Sequence, residues 1–111
     1  MKKLLLLFFI STVALSQDFP SGMVAVEFNA GFNKSNEVAW LPKLSDCETQ
    51  RDDITADSRW SKEYKIVVVP TIVIFNNNEE VKRFQANIMM TMEATKSEVQ
   101  NSIDEIVMEA F

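Results

Sequence analysis

The run from Ile66 to Phe75, IVVVPTIVIF, restricts the fold more than any other stretch of this sequence. It is rich in the β-branched residues that favour strands, and a proline-threonine pair stands in its middle. A second apolar run, MVAVEF from Met23 to Phe28, contains a single acid. Runs of this kind are typical of strands that are covered on both faces. The two runs therefore predict the central strands of an α/β sheet.

Weaker patterns predict the strands on either side. The segment from Cys47 to Ile54, CETQRDDI, is too polar for burial on two faces and suits the edge of a sheet. Three consecutive asparagines after Phe75 favour a turn, because Asn tolerates left-handed backbone angles. The segment from Val81 to Phe84 alternates apolar and polar residues, as an exposed edge strand does.

Three helices are expected between and after these strands. Asn33 or Ser35 is expected to cap a helix that reaches about Leu44, with Pro42 bending or ending it. A second, short helix is expected to start at Asp57 and to cover SRWSKEYK.

The last helix has the clearest start signal, because Thr95 and Glu98 form the T-x-x-E pattern of a capping box. Its predicted buried face consists of the apolar residues Val99, Ile103, Ile106, Val107 and Ala110. The resulting order of elements is β-α-β-α-β-β-α in one small domain.

The first sixteen residues have the layout of a signal peptide. Two lysines precede an apolar run from Leu4 to Leu15, and small residues stand before an expected cleavage point after Ser16. The run is shorter than the about 20 residues that cross a membrane. We therefore expect residues 1–16 to be removed and residues 17–111 to be periplasmic or secreted, without stable membrane insertion.

Charge and composition exclude several classes of function. The formal net charge is −5 for the whole chain and becomes −7 without the two lysines of the leader, which argues against nucleic acid or anionic lipid as a partner. The sequence has no histidine, which removes the usual general base and the usual metal ligand. It has one cysteine, Cys47, so no disulfide can form within the chain.

Taken in order, residues 23–110 resemble a thioredoxin. That family has a strand ending in an acid, then F-W-A-x-W-C-G-P-C, and later a tyrosine, an isoleucine and a P-T pair that opens a strand. This sequence has VEFNAGFNKSN, then Tyr64, Ile66, Pro70 and Thr71 at matching spacing, followed by the hairpin IVIFNNNEEVKRF.

The resemblance implies a thioredoxin-like α/β fold that lacks the family's first strand and helix. It implies a four-stranded mixed sheet with helices on both faces and strands in the spatial order 47–54, 23–28, 70–75 and 81–84. We expect the two central strands to be parallel and the last hairpin to be antiparallel.

The same resemblance places Asn33 and Asn36 where the family has its two reactive sulfurs. An amide is neither nucleophilic nor oxidisable, so dithiol–disulfide exchange is not expected at this site. Pro70 matches the family's cis-proline, although it also suits the plain start of a strand. Together with Asn33 and Asn36, the candidate contacts for an extended peptide are Phe32, Val69, Pro70 and Thr71.

Two further residues take their roles from the resemblance. Glu27 stands where the family buries a carboxylate, and Arg51 stands where the family has a basic partner for it. We expect a structural ion pair between them, because a buried charge without a partner is costly.

The sequence allows more than one role for Cys47 and for the methionines. Cys47 is either an inert apolar residue or a thiol that forms mixed disulfides, and its acidic neighbours argue against an activated thiolate. Met89, Met90 and Met92 suit plain packing, an adaptable partner surface or a Cu(I) site. We expect no metal and no other cofactor.

The leading functional hypothesis is a non-catalytic module that binds an extended segment of another protein near Pro70. One alternative is an oxidoreductase-related role of Cys47 alone. Another is a structural subunit of an envelope assembly that docks through the edge strand 47–54.

Overall fold

The computed structural model describes residues 22–109, so the expected signal peptide and Ala110 lie outside the described residues. Four strands form one mixed sheet in the order β2-β1-β3-β4, which confirms the predicted order. The strands are β1 (Met23–Asn29), β2 (Glu48–Asp53), β3 (Thr71–Asn76) and β4 (Glu79–Gln85).

The direction of the central pair differs from the prediction. Strand β1 runs parallel to β2 but antiparallel to β3, so the expectation that 23–28 and 70–75 are parallel was wrong. Asp53 at the end of β2 pairs with Asn29, and Thr71 at the start of β3 pairs with Phe28. The chain that contains helix α1 (Arg59–Glu63) therefore returns to the end of the sheet where β2 stops, and β3 runs back from there.

The hairpin of β3 and β4 is antiparallel, as predicted. Asn77 and Asn78 form its turn with φ values of 53° and 70°. Two consecutive positive φ angles are the geometry of the tight turn that matches the twist of paired strands.

The first predicted helix is replaced by two short 3-10 helices, Gly31–Asn36 and Leu41–Lys43. Neither Asn33 nor Ser35 caps a helix, because Asn33 lies inside the first of the two with a non-helical ψ of 19°. The backbone N–H of Val38 donates to the side chain of Glu27 instead of to a helical carbonyl. A tertiary contact thus takes the donor that a continuous helix would need.

Two apolar layers cover the sheet, one on each face, and confirm the predicted layering. The first layer packs helix α2 (Lys96–Glu109) and the 3-10 helices on the sheet, with the buried residues Ala25, Val38, Leu41, Leu44, Ile72, Ile74, Val99 and Ile103. The second layer packs Trp60 and Tyr64 of the α1 region on the opposite face, with the buried residues Val24, Val26, Phe28, Val73 and Phe75.

Helix α2 begins with the predicted capping box. The Glu98 N–H donates to the Thr95 hydroxyl (3.2 Å), and the Thr95 N–H donates to the Glu98 carboxylate (3.0 Å). No helix within residues 22–109 is long and apolar enough to cross a membrane.

Candidate functional site

Three segments meet at the end of the sheet where β1 stops and β3 starts. Phe28 pairs with Thr71, so the first 3-10 helix (31–36) and the Val69–Pro70 peptide, which is cis, lie at the same end. The Ala86 N–H donates to the Pro70 carbonyl (3.0 Å), which brings the connector between β4 and α2 to this end as well.

Asparagine side chains join these segments. The Asn36 side-chain amide donates to the Asn33 side-chain carbonyl (2.8 Å), so the two side chains are bonded directly to each other. The Asn33 amide in turn donates to the side chain of Asn29 (3.1 Å) and to the backbone carbonyl of Met90 (3.0 Å). Asn33 is buried, and both of its amide hydrogens are used. The pair is therefore a structural link and not a reactive group.

The connector is held in one shape by Asn87. Its side-chain carbonyl accepts hydrogen bonds from the N–H of Met89 (2.9 Å) and of Thr91 (3.1 Å). Ile88 and Met89 are 97% and 72% exposed, although the backbone beneath them is well bonded. Met92, by contrast, packs against the first apolar layer, so the three methionines do not form one exposed group.

Some of the residues predicted to contact a peptide expose their side chains, and others could contribute only backbone groups. Phe32 is 75% exposed, whereas Val69 is only 7% exposed and the side chain of Thr71 is buried. The backbone N–H and C=O of Val69 form no hydrogen bond with any residue from 22 to 109. Val69 therefore offers a peptide group, and Phe32 offers an apolar side chain.

We call the exposed apolar residues of these loops the apolar rim: Phe32, Val67, Ile88, Met89 and Met90. Of these, only Phe32 was a predicted contact. The methionine-rich run was a visible signal, but its position beside Asn33 depends on a contact across 57 residues.

Glu27 is completely buried and has a partner for each carboxylate oxygen. One oxygen accepts from the Val38 N–H (3.0 Å) and the other from Arg51 Nε (3.1 Å). Arg51 also donates to the Val38 carbonyl (2.6 Å). Glu27 and Arg51 thus hold both backbone groups of Val38. They line a cleft of about 210 Å³ whose wall also includes Lys34 and Glu37.

Asp52 and Asp53 end β2 beside this cleft, and their pKa values move in opposite directions. The Thr55 hydroxyl and N–H, with a smaller contribution from Gly31, lower the pKa of Asp53. Burial and then the charges of Asp57 and Asp53 raise the pKa of Asp52.

Cys47 lies away from the asparagines. It precedes Glu48, which pairs with Val24 near the start of β1, so Cys47 is at the opposite end of the sheet from Pro70. Burial, and then the charge of Asp46, raise the pKa of its thiol. No group of three or more acidic or cysteine side chains within residues 22–109 is arranged to hold a metal ion.

We expect Arg51→Met to lower the free energy of unfolding by about 2 kcal/mol, because it leaves Glu27 buried without its charged partner. The cost is below the about 3–5 kcal/mol of a fully buried pair, since solvent reaches Arg51. Urea denaturation measures it, with Lys43→Met as the control at an exposed cation. The loss should shrink in a Glu27→Gln background. An equal loss in both backgrounds would contradict the proposed pairing.

The two aspartates give a matched pH test. A lowered pKa means that Asp53 stabilises the fold above the unfolded value near 3.8, and that this contribution disappears as the pH falls through the folded value. The pKa of Asp52 is raised, so its contribution to stability has the opposite pH dependence. That contribution is present below the unfolded pKa and is lost as the pH rises through the pKa of the folded state. At pH 7 we expect Asp53→Asn to lower and Asp52→Asn to raise the urea midpoint. Both changes in the urea midpoint should become smaller towards pH 3. If the two variants change the midpoint in the same direction at pH 7, the opposite pKa shifts given for Asp52 and Asp53 are wrong.

No protein-family model and no curated protein matches this sequence. Solved structures of thioredoxins do match its fold. A Fasciola hepatica thioredoxin is 20% identical with a TM-score of 0.59, covering 85% of this chain and 89% of its own. Thioredoxin 1 of Thermosipho africanus is 21% identical with a TM-score of 0.59, covering 78% and 97%.

A reduced thioredoxin pre-protein of Schistosoma mansoni is 19% identical with a TM-score of 0.62, covering 86% of this chain and 89% of its own. At such identities the likeness concerns the fold alone, and it agrees with the strand order and the two apolar layers. The chain therefore has a thioredoxin-like fold and carries a single cysteine.

Proposed function

We propose that this chain is an exported, redox-inactive binding module. It holds an extended segment of another protein against the Val69–Pro70 peptide and the first 3-10 helix. The observation that carries this proposal is that the Val69 peptide forms no hydrogen bond with residues 22–109 and lies at the same end of the sheet as the exposed ring of Phe32. An extended segment that pairs with Val69 gains backbone hydrogen bonds, and the apolar rim gives it an apolar contact surface.

The site is preorganised for binding. The hydrogen bonds of Asn33 and Asn36 fix the first 3-10 helix, and Asn87 fixes the connector that carries Ile88 and Met89. A surface that is already ordered loses less conformational entropy when a partner docks. Exposed apolar side chains on an ordered backbone are typical of a contact surface.

Electron transfer is not part of this function. Cys47 is the only sulfur of the chain that can exchange with a disulfide, and it lies at the far end of the sheet. Its raised pKa leaves little thiolate at neutral pH, and the thiolate is the attacking form. Export is supported by the pattern of residues 1–16, which fits a leader that is cleaved.

In an insulin-reduction assay with dithiothreitol, we expect the wild type and Cys47→Ser to match the rate of the reductant alone. The carboxamides cannot form a mixed disulfide, and Cys47 is remote from the peptide site. A rate above this background that disappears in Cys47→Ser would instead support the oxidoreductase alternative. Non-reducing electrophoresis of the exported protein provides the second readout, and monomer alone is expected.

A photo-crosslinking amino acid at position 32 tests the binding role directly. Phe32 and Met108 are almost equally exposed, at 75% and 73%, but Met108 lies on α2 outside the site and is the matched control. In cells that export the protein, we expect discrete covalent adducts from position 32. Mass spectrometry should map them to one extended segment. Equal labelling from both positions, or none from position 32, would refute the proposed site.

A further inference from the structure

Strand β2 presents one side of its backbone to no other strand within residues 22–109. The Ile54 N–H donates to the Asn29 carbonyl (2.9 Å), so Ile54 points its backbone groups towards β1. Successive residues of a strand direct these groups to alternate sides. Thr49 and Arg51 therefore direct their N–H and C=O away from the sheet, where they can pair with a further strand. Asp53 offers only its N–H there, because its carbonyl already accepts from the N–H of Ala56 and of Asp57.

The charge around this edge is strongly negative. Between Asp46 and Arg59 the chain has five acids and two bases, Arg51 and Arg59. Both bases are engaged, because Arg51 Nε lies 3.1 Å from Glu27 and Arg59 lies 3.6 Å from Asp57. The edge therefore attracts cations and repels anions.

Asp52 adds a specific acceptor to this field. Its Oδ2 atom is buried and has no hydrogen-bond partner. Burial and then the neighbouring acids Asp57 and Asp53 raise its pKa by more than the charge of Arg59 lowers it. A Lys or Arg side chain supplies both the missing donor and the missing charge.

A second copy of this chain does not suit the edge. Antiparallel pairing of two β2 strands through these outward groups sets Glu48 of one copy opposite Asp52 of the other, or Arg51 opposite Arg51, and like charges directly opposite are destabilising. The acids that deter a second copy are the same groups that favour a basic strand. The same acidic side chains therefore disfavour pairing with a second copy of this chain and favour pairing with a basic segment.

We propose that the free edge of β2 binds an extended basic segment of another protein by strand addition. Backbone bonds to Thr49, to Arg51 and to the N–H of Asp53 align the segment, and Lys or Arg side chains at alternate positions reach Asp52 and Glu48. This site is separate from the Val69 site, because β2 and β3 lie on opposite sides of β1. Its test therefore does not depend on the function proposed above.

The probe is a ten-residue synthetic peptide of alternating lysine and valine with blocked ends, added to the mature protein purified after export. We expect saturable binding that weakens as salt is raised. At saturation, hydrogen exchange should slow at the outward amides of Thr49, Arg51 and Asp53. A peptide with glutamate in place of lysine should not bind. A peptide with methylated backbone nitrogens should not protect these amides.

Variants of the chain separate backbone pairing from charge. Thr49→Pro removes one outward N–H and leaves the bonds to β1 in place, so binding should weaken about tenfold. Asp52→Asn should also weaken binding, and Glu79→Gln on the other edge strand is the matched control that should not.

Two results would overturn the proposal: equal binding of the methylated peptide, which indicates adhesion by charge alone, or amide protection on β4 instead of β2. If Thr49→Pro does not fold, the comparison of Asp52→Asn with Glu79→Gln still shows whether the peptide binds at β2. Equal affinity in that pair counts against the site, and a selective loss in Asp52→Asn supports it.

Discussion

The buried carboxylate of Glu27 constrains this structure more than any other single group. A charge with no contact with water has to be fully bonded, and Glu27 finds its donors in the Val38 backbone and in Arg51. Because Arg51 also binds the Val38 carbonyl, one cluster fixes β1, β2 and the chain between them. The path from β1 to β2 is then set by satisfying a charge and not by helix propensity.

This path shapes the end of the sheet where the candidate site lies. The chain leaves β1 through a short 3-10 helix, and the side chains of Asn33 and Asn36 close that turn with a hydrogen bond. A carboxamide pair gives the turn a link without redox chemistry, because an amide has no accessible oxidation step. The first 3-10 helix is therefore hydrogen-bonded in place at the same end of the sheet as the Val69–Pro70 peptide, where we propose that a partner binds.

The two proposed surfaces use the same backbone chemistry but different side chains. At Val69 the proposed surface combines a peptide that no described residue bonds with exposed apolar side chains at the same end of the sheet, so water release would favour docking there. At β2 the proposed surface is an edge that no described strand pairs, set among acids, so charge would select the partner and salt would weaken its binding. Strand β1, buried between β2 and β3, keeps the two surfaces apart.

The features that could be predicted from the sequence are those whose causes lie close together along the chain. Two apolar runs predicted the central strands, the Thr95–Glu98 pair predicted the start of α2, and the asparagines after β3 predicted the hairpin turn. In each case the interacting groups are a few residues apart, or the pattern is itself the physical cause.

The features that depend on distant partners could not be predicted and became clear from the folded chain. The acceptor for the Val38 N–H is eleven residues away on β1, so local propensity wrongly favoured a continuous helix. The direction of β3 follows from where the chain between β2 and β3 returns to the sheet, since Thr71 pairs with Phe28 at the end of β1. The contact of Asn33 with Met90 joins residues 57 apart, and no local pattern records such a contact, because it exists only once the sheet has formed.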